Sequence, residues 1–299
     1  PRLMELGPDT GAPGPWTAWR LTRDADGIDW LIADQPGVSA NTVSEEVLEE
    51  LDQILAQLEK DPPKALVIRS AKPGGFFAGA DVKAFVGARD AAEVEQRMTR
   101  AHDVVDRLAK LTTPTVAVIH GYALGGGLEI ALACDLIIAA ETATFALPEP
   151  RVGLAALAGG LHRLPRQIGE KQAMGMILTG RRVSAAEGRE LGFVNEVVPA
   201  ADLMTAARRW AAQICELSPM SIRASKEAVF KGPDSASERP WPLRCAIRRF
   251  RPCCGPRTSR KGRWPSPRSV RRNGRAARPG INKSGRKPER DAFRGGRSH

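Results

Sequence analysis

Two glutamates and two turns built from small residues are the parts of this sequence that could do chemistry. Glu129 stands three residues after Gly126 in the run His120-Gly-Tyr-Ala-Leu-Gly-Gly-Gly-Leu-Glu-Ile-Ala-Leu-Ala-Cys-Asp135. On a helix that spacing puts the carboxylate on the same face as the glycine. A helix that begins on Gly125 to Gly127 presents bare N–H groups and the positive end of its dipole. Such an end receives an oxygen that carries, or is about to carry, negative charge. The second turn is Phe76-Phe-Ala-Gly-Ala-Asp-Val-Lys83, where Ala78, Gly79 and Ala80 are expected to leave backbone N–H groups accessible. Two such turns supply two backbone donors, which is what stabilising an enolate-like oxygen requires. Glu149 lies between Pro148 and Pro150, an arrangement expected to hold it rigidly in a loop and outside any helix. Taken singly, each feature is equally consistent with close packing or an exposed acid. A phosphate loop is a poor alternative, because no Gly-Lys-Ser/Thr and no spaced Gly-x-Gly-x-x-Gly is present.

These residues need strands and helices to hold them. Thr115 to Ile119, apolar, rich in β-branched residues and preceded by Pro114, reads as a buried strand delivering the chain to the glycines. Ala65 to Arg69 is a second buried strand, placed before the Ala78–Ala80 turn. Upstream, Trp16 to Arg23 and Ile28 to Asp34 read as a hairpin around Asp26-Gly27. Ser44, followed by Glu45, Glu46 and the apolar set Val47, Leu48, Leu51, Ile54, Leu55 and Leu58, reads as a capped amphipathic helix. Residues 90–110 form another, with Val94, Met98, Ala101, Val105 and Leu108 inward and Arg97, Arg100, Arg107 and Lys110 on a solvated face. After the central run, Leu136 to Ala140 and Thr144 to Leu147 are strands. Helices then follow over 161–168, 170–178, 184–191, 202–217 and 221–230. This strand–helix alternation predicts an α/β fold.

At 299 residues the chain can bury a full core. Its net charge of +11 is unevenly placed. Residues 1–238 carry 25 Lys and Arg against 32 Asp and Glu, and residues 239–299 carry 20 against 2. The basicity therefore says nothing about nucleic-acid binding by the globular part. Five scattered cysteines show neither metal-ligand spacing nor an even framework, which points to a reducing compartment. No signal peptide or membrane-length apolar run is visible, and a cytoplasmic protein without membrane attachment is the expectation.

Together the Phe76–Lys83 segment, the Gly121-Tyr-Ala-Leu-Gly-Gly-Gly-Leu-Glu129 segment, Ala133-Cys-Asp135 and Glu149 two residues after Leu147 resemble the enoyl-CoA hydratase (crotonase) superfamily. The resemblance runs from about Trp16 to Lys231, and its four motifs, weak singly, are specific in this order. Leu178-Thr-Gly-Arg, Ala185-Ala-Glu187 and Leu191-Gly-Phe-Val-Asn195 are similar to the family's downstream helices. The resemblance implies a crotonase-like spiral of ββα repeats followed by a C-terminal helical region. It implies a catalytic core over 16–200, with a helical region over 201–231. It implies that the N–H groups of Ala80 and Gly126 form an oxyanion hole for a thioester oxygen. Ala78, Ala80, Asp81, Val82, Lys83, Gly125 and Gly126 are then the acyl-CoA site. Glu129 and Glu149 resemble the family's two catalytic carboxylates, Glu129 as base toward water and Glu149 as acid toward the α-carbon. The implied reaction is reversible syn addition of water to a 2-enoyl-CoA thioester, with no metal and no cofactor beyond the coenzyme A of the substrate. The implied assembly is a homotrimer or homohexamer. Alternatives are a dehydratase or isomerase for a specialised acyl-CoA, such as a carnitinyl or aromatic thioester, and a catalytically silent CoA-binding scaffold.

Two stretches, 151–164 and the residues after Lys231, depart from the family pattern. Arg151 to Leu164 differs from the Pro-Gly-rich version of fatty-acid hydratases, which leaves the acyl group open. Residues 1–15, rich in Pro and Gly, read as a flexible leader. Residues 232–299 read as a basic, disordered tail, with 17 Arg in 239–299 where family members carry an amphipathic helical region. Permitted codons for Arg249 to Ala277, read two nucleotides later, spell an ordinary crotonase C-terminus, so a frameshift near Pro233–Glu238 is the expected origin. The true nucleotide sequence tests this directly. A nucleic-acid-binding arm is the weaker alternative, since the tail has few interleaved aromatics.

Overall fold

A computed structural model describes residues 14–81 and 91–231. The basic tail, almost all of the leader, and Val82 and Lys83 of the expected acyl-CoA site lie outside these residues. In chain order the elements are β1 (Trp19–Arg23), β2 (Ile28–Ala33), α1 (Glu45–Lys60), β3 (Ala65–Ser70), α2 (Ala91–Lys110), β4 (Thr115–Ile119) and β5 (Tyr122–Leu124). They continue with α3 (Gly126–Ala133), β6 (Leu136–Ala140), β7 (Thr144–Ala146), α4 (Gly160–Ile168), α5 (Glu170–Thr179), β8 (Val183–Ser184) and α6 (Ala185–Leu191). β9 (Glu196–Val198), α7 (Leu203–Cys215) and α8 (Pro219–Lys231) complete the described chain. Short 3-10 turns occupy Glu149–Val152 and Ala200–Asp202.

Six strands form one sheet in the order β1-β2-β3-β4-β6-β9. β1 and β2 are the anticipated hairpin, antiparallel with Trp19 opposite Ala33, and Asp24 caps its turn by accepting from the Asp26 and Ile28 N–H groups. Every later pairing within this sheet is parallel, for example Ile28 with Ala65, Leu66 with Thr115 and Val116 with Leu136. Parallel strands covered on both faces are near-continuous apolar runs, and β2, β3 and β4 are buried at every residue, with Asp29 and Arg69 as buried charged exceptions. One face, with Leu31, Leu66, Ile68, Ala117 and Ile119, packs in the same core as α1, α2 and α3. The other, with Trp30, Val67, Val116, Val118 and Ile138, packs against Leu203, Ala207 and Ala211 of α7. β5, β7 and β8 form a second, three-stranded sheet.

α1 forms as its sequence demands. Ser44 Oγ accepts the Val47 N–H at 3.3 Å, and the six apolar residues anticipated for its inner face are all buried. Burying each such side chain contributes roughly 1.5–3 kcal/mol, which far exceeds what helix propensity supplies. α8 is tied down differently, since none of its side chains is fully buried. Lys226 donates to Asp135 Oδ2 at 2.6 Å and to the Thr113 carbonyl at 2.9 Å. The same Oδ2 accepts the Thr115 N–H at 2.7 Å and its hydroxyl at 3.0 Å. Asp135→Ala leaves these donors without their shared acceptor. It is expected to lower stability by about 2 kcal/mol, read as a shifted urea midpoint with an unchanged slope.

Candidate active site

The glycine run behaves as its composition requires. Gly125 has φ of +51° and ψ of −124°, outside the conformations L side chains adopt freely. It is the residue that turns β5 into α3. Gly127 is needed for space, because a Cβ there would lie 2.6 Å from Phe77 Cβ and 2.8 Å from the Phe77 carbonyl. α3 therefore seats directly on the Phe76–Ala80 loop.

That loop is held by backbone pairing on two sides. The Phe76 N–H donates to the Tyr122 carbonyl at 2.7 Å, and the Leu124 N–H to the Phe77 carbonyl at 3.0 Å. On the other side the Val43 N–H donates to Gly79, and the Asp81 N–H to Val43. The Ala78 N–H donates to the Asn41 carbonyl at 2.8 Å. Asn41 is buried, and its amide donates to Ala33, Ser70 and Phe76 while accepting from Gln35. The Ala78 N–H is thus occupied, which corrects its expected place among the accessible backbone donors. The Ala80 N–H makes no hydrogen bond to the described residues. The Gly126 N–H, first in its helix, has no intrahelical acceptor. The two residues are close neighbours, with the Cβ position of Gly126 only 3.8 Å from the Ala80 nitrogen.

Both glutamates reach the same place. Ala80, Asp81, Gly126, Glu129 and Glu149 line one cavity of about 90 Å³, room for a few water molecules by volume. The rest of its wall is largely apolar, including Val43, Leu48, Met98, Leu154 and Leu157. Arg97 and Arg100 of α2 also line it, so the face expected to be merely solvated borders the site. Gly125 stays outside the cavity but packs against Glu149, whose Oε1 lies 2.8 Å from where a Cβ on Gly125 would sit.

Glu129 is 4 % exposed, and its Oε1 accepts the Gly160 N–H at 2.8 Å. Burial raises its pKa to about 7, and the nearby Glu149 adds to the rise. Hydrogen bonds from the Gly160 and Ala158 backbone and the Arg163 charge pull the other way. Burial also raises the Glu149 pKa. Glu149 Oε2 is buried without a hydrogen-bond partner among the described residues. Glu149 does not sit in a loop as its flanking prolines suggested, because it opens the 3-10 turn Glu149–Val152. Prolines are tolerated at the first helical positions, whose N–H groups lack intrahelical acceptors.

Sequence reasoning missed Gly160, whose N–H holds Glu129, and Arg163 behind it. A signal was present: Gly159-Gly160 before the Leu161 helix repeats the bare helix start seen at Gly125–Gly127.

Comparison with known proteins agrees with this architecture. The sequence profile described as "Enoyl-CoA hydratase/isomerase" matches residues 33–244, and the chain belongs to that family, with the crotonase fold. It is 39% identical over 196 residues to a probable enoyl-CoA hydratase of Mycobacterium bovis, covering 66% of this chain and 75% of that protein. It is 38% identical over 185 residues to the fatty acid oxidation complex subunit alpha of Idiomarina loihiensis, covering 61% of this chain and 26% of that one. Among solved structures, Pseudomonas aeruginosa DspI superposes with a TM-score of 0.72 at 32% identity, covering 82% of this chain and 91% of that one. The enoyl-CoA hydratase of Bacillus anthracis superposes with a TM-score of 0.69 at 32% identity, covering 79% and 88%.

Proposed function

We propose that this protein catalyses the reversible syn addition of water to a 2-enoyl-CoA thioester. The observation that carries the reading is that Glu129, Glu149, Ala80 and Gly126 line one largely apolar cavity, the last two with backbone N–H groups that make no hydrogen bond among the described residues. Water adds poorly to a carbon–carbon double bond unless the conjugated carbonyl draws off electron density. The Ala80 and Gly126 N–H groups receive the thioester oxygen and stabilise the charge that develops on it, assisted by the dipole of α3. Glu129 takes a proton from water as its oxygen bonds to the β-carbon. Glu149 gives a proton to the α-carbon. One turnover consumes one water, forms a C–O and a C–H bond, and leaves the two carboxyls with exchanged protonation states. A proton passed back between them restores the site.

The pKa of Glu129, raised to about 7, sets the pH dependence of this reading. The base must be ionised, so kcat/KM falls as pH drops below about 7, and because Glu149 must hold its proton, it falls again at the higher pH where Glu149 ionises. The direct test is loss of the enoyl absorbance of crotonyl-CoA on addition of the protein, followed across pH. A chain that binds the thioester but never consumes its double bond, with longer or aromatic enoyl-CoA substrates as well, overturns the reading.

A further inference from the structure

Arg163 lies outside the cavity, with a side chain only 13% exposed. Its guanidinium folds back over the turn that precedes its own helix. Nη1 donates to the Ala158 carbonyl at 3.0 Å, and occupies the space a Cβ on Gly159 would need. Nη2 pairs with Asp106 Oδ1 of α2 at 3.1 Å. The turn so clamped, Ala158-Gly159-Gly160, is the one whose Gly160 N–H donates to Glu129 at 2.8 Å. Gly159 has φ of +114°, and the rare conformation lets the turn close under the guanidinium. Among the described residues this buried cation makes no hydrogen bond to the buried Glu129 carboxyl and is connected to it through a single turn of backbone.

We propose that Arg163, anchored by Asp106, is the positioning residue that keeps Glu129 ionisable in its buried site. It holds the donor turn against the carboxylate and supplies a fixed positive charge behind it. The proposal rests on the hydration reading only for the meaning of that charge state, not for its existence. Burial alone pushes Glu129 toward the neutral form, and Glu149 pushes it the same way. The other charged side chains lining the cavity are Glu45 of α1, Asp81 of the donor loop, and Arg97 and Arg100 of α2. Behind the turn stand Asp106 and, on α4, Arg166. Arg163 acts on the Glu129 carboxylate both by its charge and through the turn it clamps.

The experiment titrates Glu129 directly, by infrared absorption of its protonated carboxyl, with Glu129→Gln as the subtraction control. In Arg163→Met the titration midpoint is expected to move up by about one unit. The acid limb of kcat/KM moves with it, giving roughly tenfold lower activity on that limb and convergence with the parent at high pH. Arg163→Gln, which keeps an amide donor for the Ala158 carbonyl, gives the same shift should the methionine variant fail to fold. Arg163→Lys restores the parental midpoint. A purely structural arginine would lower activity evenly across pH and leave the midpoint in place, and that result overturns the proposal. A shifted midpoint in chains that hydrate no enoyl-CoA upholds the role of Arg163 and removes the hydration reading instead.

Discussion

Glu129→Gln is expected to abolish hydration while making the folded protein more stable above neutral pH. The loss of activity follows from its role as base, since removing a positioned proton acceptor typically costs a factor on the order of 10²–10⁴. The gain in stability follows from linkage. The Glu129 pKa is about 7 in the fold against a reference of 4.5. Between those values the folded chain keeps a proton that the unfolded chain has released. Raising pH through that window therefore destabilises the fold, by roughly 3 kcal/mol once the group is ionised. Glutamine carries no charge to bury, and its amide oxygen can still accept the Gly160 N–H. The variant should thus exceed the parent in urea midpoint near pH 8 and match it near pH 4.5. Glu149→Gln is expected to lose activity comparably. A Glu129→Gln chain that retains hydration, or that is less stable than the parent at pH 8, contradicts the assignment.

Gly127→Ala is expected to cost both stability and rate although it touches neither carboxyl. The added methyl would lie 2.6 Å from Phe77 Cβ and 2.8 Å from the Phe77 carbonyl, and both sit in a packed core. Relieving that contact requires α3 to move away from the Phe76–Ala80 loop. Overpacking of this kind costs about 3 kcal/mol. The same movement separates the Gly126 and Ala80 N–H groups, which must hold one oxygen between them. A misplacement near 1 Å at such a site lowers rate on the order of 10²-fold. Kinetics at a temperature where circular dichroism shows the variant fully folded separates the two effects. Unchanged kcat in a folded Gly127→Ala chain would mean that the two donors do not act together.

Much of this arrangement was legible in the sequence. β4 lies where Pro114 and the run Thr115–Ile119 put it, and α1 follows its cap and apolar stripe, because strong local signals and the global fold agree there. β5 was hidden: three residues, Tyr122–Leu124, between glycines have too little periodicity to read, and the strand exists because the Phe76–Phe77 segment and β7 pair with it. β9, also three residues, escaped notice for the same reason. The Glu129–Glu149 pairing was legible only through resemblance, as nothing in their spacing says that two residues twenty apart share a cavity. The support behind them was less visible still. Gly160 contributes a backbone N–H, which leaves no mark of its own on composition. Asn41 likewise supports the site unseen, its buried amide tying β2, β3 and the donor loop together.

The order of the large sheet, β1-β2-β3-β4-β6-β9, is also the order in which its strands leave the ribosome. Each new strand finds its partner edge already made, and no earlier strand has to wait for a later one to be inserted between it and its neighbour. The chain emerges from the ribosome N-terminal end first, and parallel pairing across long connections is slow. This strand order permits that step to proceed as successive additions to one growing edge. The connection from β6 to β9 carries the Glu149 turn and the Gly160 N–H that holds Glu129. The parts of the site contributed by that connection are therefore made before the last strand seals the sheet.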